Sequence, residues 1–492
     1  MNHDVTISCR IQRWAFFLLI VYAPLPLASN RPWALALLGL LTGGLLLWNI
    51  GCTNASSTLL AWQKARIPLL LLGMWMALLA IQIVPLPIAW TDALDQRALR
   101  GFTGQDRAFA TISIDPYSTR LYLIKAVILT AVCWLALTLI NARQHVKWLA
   151  RVVVFSGLLQ AMIGVVLMAS GASFLMFFVD MSNPRGHGTF VSPNNFAGYL
   201  ELTLAVGIGF MIAKLDGHAA ASWRQRLHGW LALLISEKAL LRLSLIIMVV
   251  GLVASRSRMG NAAFFASLLI VGTFTILFAK HATQHVQDRR GKSTLRATIF
   301  FITSLIVLDV FIIGGVVGVE KVVQRLEDTN LKMQTENTQT GASGGVVRAY
   351  HQEASVEERS EAARYALPIV RDFPWLGTGG GTFHLTFQHY QPSGWEGYQD
   401  HVHNDFVEFA SEVGLTGFLL LVLMVAHSVW CSVRLLLHSH DQLARGMAFA
   451  SLMGITSLLI HGAVDFNLQI PATAMLFLIV LWLPYLLRGL KR

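Results

Sequence analysis

Runs of about twenty mostly apolar residues recur along the whole 492-residue chain. A helix needs that length to cross the hydrocarbon core of a bilayer, where every backbone polar group must be satisfied within the segment. About twelve such runs can be drawn: roughly 14–30, 32–50, 67–85, 119–141, 149–170, 194–213, 239–256, 260–279, 297–318, 413–436, 446–466 and 472–488. The first is interrupted by Pro24 and Pro26. Composition agrees, with 55% hydrophobic and 13% charged residues. Soluble domains carry about 25% charged residues, and such a shortfall follows when much of the surface faces lipid. The expected fold is an all-α polytopic membrane protein of about 12 transmembrane helices, with one large extracytoplasmic loop that itself contains helices. Arg10 and Arg13 precede the apolar part of residues 11–29, which reads as a first anchor in preference to a signal peptide.

The net charge of +11 is a matter of topology. Nucleic-acid binding would need basic residues clustered on a soluble face, whereas here they sit in short gaps between apolar runs. With the N-terminus in the cytoplasm, the cytoplasmic gaps hold 22 of the 38 Lys and Arg but only five of the 27 Asp and Glu. That is the positive-inside pattern, and a shift by one span inverts it. Both termini are therefore expected in the cytoplasm. Residues 1–318 form spans one to nine, 319–412 the large outer loop, and 413–492 the last three spans. Shorter outer segments cover 86–118 and 171–193. Within the large loop, 319–350 is polar with a GASGG patch, and 352–372 reads as an Ala- and Glu-rich helix that Pro368 is expected to kink or end. PWLGTGGGTF then reads as a glycine-rich turn. The four cysteines, Cys9, Cys52, Cys133 and Cys431, have no CxxC spacing and imply neither a disulfide framework nor a zinc site.

The sharpest local feature is HVHNDFVEFASEVGLTGF, residues 401–418. On a helix that begins near His403, the residues His403, Val407, Ala410, Gly414 and Gly417 share one face. Small residues on that face would admit a neighbouring helix. A helix N-terminus disfavours the cationic imidazole, and a neutral ring keeps the lone pair a general base needs. The plainer alternative is a polar start to a glycine-packed span. Arginines form the second feature: Arg185 before the sixth span, Arg256 and Arg258 at the turn between the seventh and eighth, and Arg359 on the loop helix. Outer-side arginines run against the positive-inside bias, and near helix N-termini they suit a phosphate or diphosphate. The alternative is snorkelling to lipid headgroups. GTGGG (377–381) lacks the GK[ST] ending of a P-loop and is better read as a permissive turn. No Asp-x-Asp clamp or HExxH motif suggests a metal, and His427 and His461 read as packing or hydrogen-bonding residues.

His403-Asn404, nine residues, Gly414, two residues and Gly417 resemble the H-[NSQ]-x9-G-x-x-G signature of the O-antigen ligase superfamily. The chain is similar to that family also at GTFVSPNNFAGYL, at Ser257–Gly260, at Arg359 followed by PWLGTGGGTF, and at HGAVDFNLQIPATA (461–474). The superfamily joins ligases that move polysaccharide onto lipid A–core, O-oligosaccharyltransferases, and O-antigen or exopolysaccharide polymerases. The resemblance implies an inverting, metal-independent glycosyltransferase of the bacterial inner membrane, with no cofactor and a periplasmic active site. It implies an undecaprenyl-diphosphate-linked glycan as donor, and lipid A–core or a growing polysaccharide as acceptor. His403 is then the base, and Arg185, Arg258 and Arg359 bind the diphosphate. Asn194 and Asn404, within the matching motifs, are lesser candidates. Relatives show R-x-x-x-W in the loop helix, whereas Arg359 here is followed by Ala363 at the Trp place, so Arg364 competes with Arg359. Arg256 competes likewise with Arg258. Two readings stand against transfer. A transporter or flippase for lipid-linked glycan predicts mid-span charges and an internal repeat. A catalytically dead scaffold does not call for the intact His403 motif. Ligase and polymerase share a donor and are not separated by sequence.

Overall fold

The computed structural model describes residues 2–93, 109–170, 174–175, 179–180, 185–214, 237–284, 356–392 and 399–490. The ninth candidate span, 297–318, and the loop residues 319–355 lie outside them. The long helices are α1 (Asn2–Tyr22), α2 (Pro32–Cys52), α3 (Ala55–Ile83), α4 (Pro116–Leu139), α5 (Arg143–Ser170), α6 (Pro193–Ala213), α7 (Glu237–Ala254), α8 (Arg258–Gln284), α9 (Val356–Asp372), α10 (Asp405–His438), α11 (Gln442–Gly462) and α12 (Pro471–Leu486). Among the described residues, eight helices are long and apolar enough to cross a membrane: α2 to α6, α8, α10 and α11. Helix α7 carries Glu237, Lys238 and Arg242, and α12 has only 16 residues.

Prolines decide several boundaries. The helix expected over 14–30 instead begins at Asn2 and stops at Tyr22, because Pro24 and Pro26 cannot continue it. Pro68 lies inside α3, which bends at Ala65 (φ −133°, ψ 28°). Proline cannot donate to the carbonyl four residues earlier, and that carbonyl, of Lys64, accepts from Arg488 at 3.3 Å. Helix α9, in contrast, runs through Pro368 to Asp372 and does not end there as expected.

Helix α6 lies at the centre, buried over nearly its whole length, and crosses α11 closely. Gly209 and Gly446 meet at the crossing, where a Cβ on either would collide with the other's carbonyl oxygen. Small residues that let backbones touch are the usual means of packing helices in lipid. Leu86–Pro87 pairs antiparallel with Phe109–Ala110, and Phe174–Leu175 with Val179–Asp180.

Helix α10 departs from the sequence expectation twice. It begins at Asp405 and not at His403, whose φ is +54°. It is also broken at Gly414 (φ +65°, ψ 177°), so the expected stripe from His403 to Gly417 is interrupted. What enters the break is backbone from the glycine-rich turn. Thr378 and Gly379 donate to the carbonyls of Ser411 and Glu412, both at 2.9 Å, and Leu415 donates to that of Pro374 at 2.7 Å. A Cβ on Gly377 would collide with the Glu412 carbonyl, and one on Gly414 with that of Trp375. Gln82 of α3 clamps both pieces: its amide nitrogen donates to the Leu376 and Glu412 carbonyls at 2.6 and 2.9 Å, and its oxygen accepts from Gly380 at 3.1 Å. GTGGG is thus a turn, and also the partner of the helix break.

Candidate functional site

Asn404 caps α10. Its side-chain oxygen accepts from the backbone of Phe406 at 3.0 Å and Val407 at 3.1 Å, satisfying donors the first turn leaves free. Its amide nitrogen donates to the Ala463 carbonyl at 2.8 Å. Asp405 joins the same turn twice, donating from its backbone to the Asp465 carbonyl at 3.1 Å and accepting from Leu468 at 3.1 Å. The start of α10 is thereby stitched to the α11–α12 turn, 463–470. Gly462 leaves room for this, since a Cβ there would stand 2.8 Å from the Asp405 carboxylate. His403, held just before the cap, places Nδ1 3.7 Å from Asp465 Oδ1, with its ring edge-on to Phe466 at 5.0 Å. That is within ion-pair range but longer than a hydrogen bond.

Asp465 is the meeting point. Its carboxylate is 2% exposed and lies 3.1 Å from Arg359 and 4.0 Å from His461 Nε2. Burial alone would raise its pKa; the His403 contact and the charges of Arg359 and His461 outweigh that and hold it at about 2. It stays ionised at any physiological pH. Behind it, His461 Nδ1 lies 2.7 Å from Glu201 of α6, which also accepts from Ser457 at 2.6 Å. His461, read from sequence as a hydrogen-bonding residue, has that role, though its partner is a carboxylate at the centre of the bundle.

Helix periodicity explains which arginine of α9 arrives here. Ala362, Ala366, Ile369 and Phe373 form its buried face, the last three packing with Phe383, Phe387 and Val402. Arg359 lies three residues before Ala362, in phase with that face, and is buried. Arg364 is out of phase and exposed. The Arg359 Nε has no hydrogen-bond partner among the described residues. Replacing Arg359 with Ala should cut activity at this site about a hundredfold, whereas Arg364→Ala should leave it within about twofold; assays of both variants at matched membrane levels check this.

Arg185 donates to the Ser255 carbonyl at 2.9 Å and to the Asn194 side chain at 3.2 Å. This joins the segment before α6 to the α7–α8 turn, as does the Gly186 backbone, which donates to Ala254. Burial first, then the charges of Arg359, Arg256 and Arg258 against the opposing pull of Asp465, lower the Arg185 pKa to about 10. Four guanidiniums therefore act on one locality, with the Asp465 carboxylate opposing them. Like charges so arranged favour a multivalent anion. Arg256 and Arg258 are both exposed, Arg256 at φ +52° in the turn and Arg258 at the N-terminus of α8. Both act on Arg185, and the geometry does not choose between them.

The residues read from sequence are thus brought to one end of the bundle. Asp465, Glu201 and Asp405 were not singled out. Asp465 lay inside the quoted HGAVDFNLQIPATA segment, as an acid four residues after a histidine at the end of an apolar run, which was the signal available. Beside the site, a cavity of about 340 Å³ is lined by apolar and aromatic residues, Trp75, Tyr122, Phe406, Phe418 and Phe477 among them, with Lys125 as its charged member.

Residues 243–422 match the family model for O-antigen ligase. That segment carries the features of the O-antigen ligase superfamily. The match runs from α7 into α10, taking in Arg256, Arg258, Arg359, His403 and both signature glycines, Gly414 and Gly417. Arg185 and Asp465 lie outside it and join the O-antigen ligase segment through the contacts above. It is a multi-pass membrane protein of O-antigen ligase or polymerase type, and the family points to a glycosyltransferase-like enzyme with lipid-linked glycan substrates. No curated protein matches the chain.

Proposed function

We propose that this protein transfers a glycan from an undecaprenyl-diphosphate-linked donor to a hydroxyl of lipid A–core or of a growing polysaccharide. The site lies at the periplasmic face of a bacterial inner membrane, with both chain termini in the cytoplasm. The observation that carries the reading is the convergence of His403 and Arg359 on Asp465, beside the arginines around Arg185.

A sugar hydroxyl is a poor nucleophile, and a lipid diphosphate leaves well once its charge is met. His403 takes the hydroxyl proton as the acceptor oxygen bonds to the anomeric carbon. The bond from that carbon to the diphosphate breaks, and its electron pair leaves with the phosphate oxygen. Arg185, Arg359 and the Arg256/Arg258 pair hold the charge that develops there. Asp465, kept ionised, stabilises the imidazolium formed on His403. A single displacement inverts the anomeric centre, and these residues suffice without a metal. The apolar cavity suits a stretch of the polyprenyl chain.

The test is transfer by the purified protein from a polyprenyl-diphosphate-linked repeat. A ladder of longer lipid-linked chains identifies a polymerase. Product formed only when lipid A–core is added identifies a ligase. No glycan transfer to either acceptor would overturn the proposal.

A further inference from the structure

Two residues before His403 stands a second histidine that the transfer chemistry above does not use. The His401 ring stacks on Phe466, with centroids 4.2 Å apart and planes 17° from parallel, while His403 meets the same phenylalanine edge-on. One phenyl ring thus carries both imidazoles. His401 Nδ1 lies 2.7 Å from Glu408 Oε1, and the other oxygen of Glu408 accepts the Val402 backbone N–H at 3.2 Å. Glu408 is 2% exposed, but the His401 side chain keeps 27% of its surface open. A carboxylate facing Nδ1 favours the tautomer with the proton on that atom, which turns Nε2 to a ligand.

We infer that His401, seated on Phe466 and held by Glu408, is a second imidazole of the transfer site and binds a hydroxyl of the acceptor glycan. The inference rests on the transfer reading given above.

The charges around the ring favour a hydroxyl over a phosphate. Glu408 faces it directly, Glu412 follows one turn along α10, Lys125 approaches from α4, and His403 lies across Phe466. Burial opposes a charge on the ring, but the charge and hydrogen bond of Glu408, helped by Glu412 and opposed by Lys125, raise the His401 pKa above its ordinary value. A ring held through Nδ1 by Glu408 turns Nε2 outward, a polar position that suits a neutral sugar hydroxyl. The diphosphate is met by the arginines gathered around Arg185.

Two conservative variants separate binding from bracing. In His401→Asn the amide nitrogen stands in for Nδ1, so the Glu408 bond is kept and Nε2 is deleted. In His401→Gln the amide reaches towards the Nε2 position and the Glu408 bond is lost. The purified full-length protein is assayed with a polyprenyl-diphosphate-linked oligosaccharide as donor, and with lipid A–core or the same lipid-linked oligosaccharide as acceptor. His401→Asn is expected to raise the acceptor KM about tenfold, the loss of one hydrogen bond, with the donor KM and thermal stability unchanged. A wild-type acceptor KM in His401→Asn overturns the inference alone, leaving the ring as a brace for the loop. If His401→Asn does not fold, His401→Gln decides: an acceptor KM nearer wild type than that of His401→Ala supports the inference, and equality with His401→Ala overturns it. Absence of transfer by the wild-type protein to either acceptor overturns the transfer reading, and this inference with it.

Discussion

Replacing His403 with alanine is expected to lower glycan transfer by about 10²–10⁴-fold, the range that a positioned general base supplies. The loss should fall on kcat, because the arginines proposed to hold the donor are untouched. Stability should change little: the ring is partly exposed and its Nδ1 has no hydrogen-bond partner among the described residues. Membrane levels and detergent melting of His403→Ala should therefore match wild type, which separates a missing base from a missing protein. Added imidazole is expected to restore part of the rate, since the truncated side chain leaves a space beside Phe466 that a free ring can enter. Transfer at the wild-type rate in His403→Ala would remove the base assignment.

Gly414→Ala is expected to have a large structural effect. Gly414 sits at φ +65° and ψ 177°, a region open essentially to glycine alone. Its Cβ would also collide with the Trp375 carbonyl, which cannot move without pulling Leu415 away from Pro374. Strain and overpacking together should cost about 3 kcal/mol or more. A lower melting temperature in detergent and loss of transfer are the expected results. Gly73 is the control: it lies within α3, and a Cβ there meets nothing within 4 Å. Gly73→Ala should be neutral or slightly stabilising, by up to about 1 kcal/mol. If both substitutions behave alike, the helix break does not depend on its glycine.

Gly414 also shows where sequence stops being informative. Its spacing from His403 was legible, and small residues at helical intervals ordinarily mean close helix packing. A backbone angle leaves no trace in spacing, so the break in α10 and the backbone of the glycine-rich turn that enters it were invisible. The apolar runs were legible because lipid imposes length and composition together, and among the described residues eight of them emerge as helices able to span. The choice between Arg359 and Arg364 was open from the motif, yet Arg359 is in phase with Ala362, Ala366, Ile369 and Phe373. Asp465 was harder to see: it becomes a hub only when α9, α10 and α11 converge, and convergence over a hundred residues of separation is a tertiary fact.

The Gln82 clamp bears on how such proteins can be recombined. A residue of the third helix holds backbone from two segments that follow it by some three hundred positions. The stretch around the glycine-rich turn is therefore no interchangeable module. A chimera that imports a foreign segment here would need to carry residues 373–417 as one block and match it to a host with glutamine at position 82. Cut anywhere inside that block, the graft would separate the turn from the helix it completes.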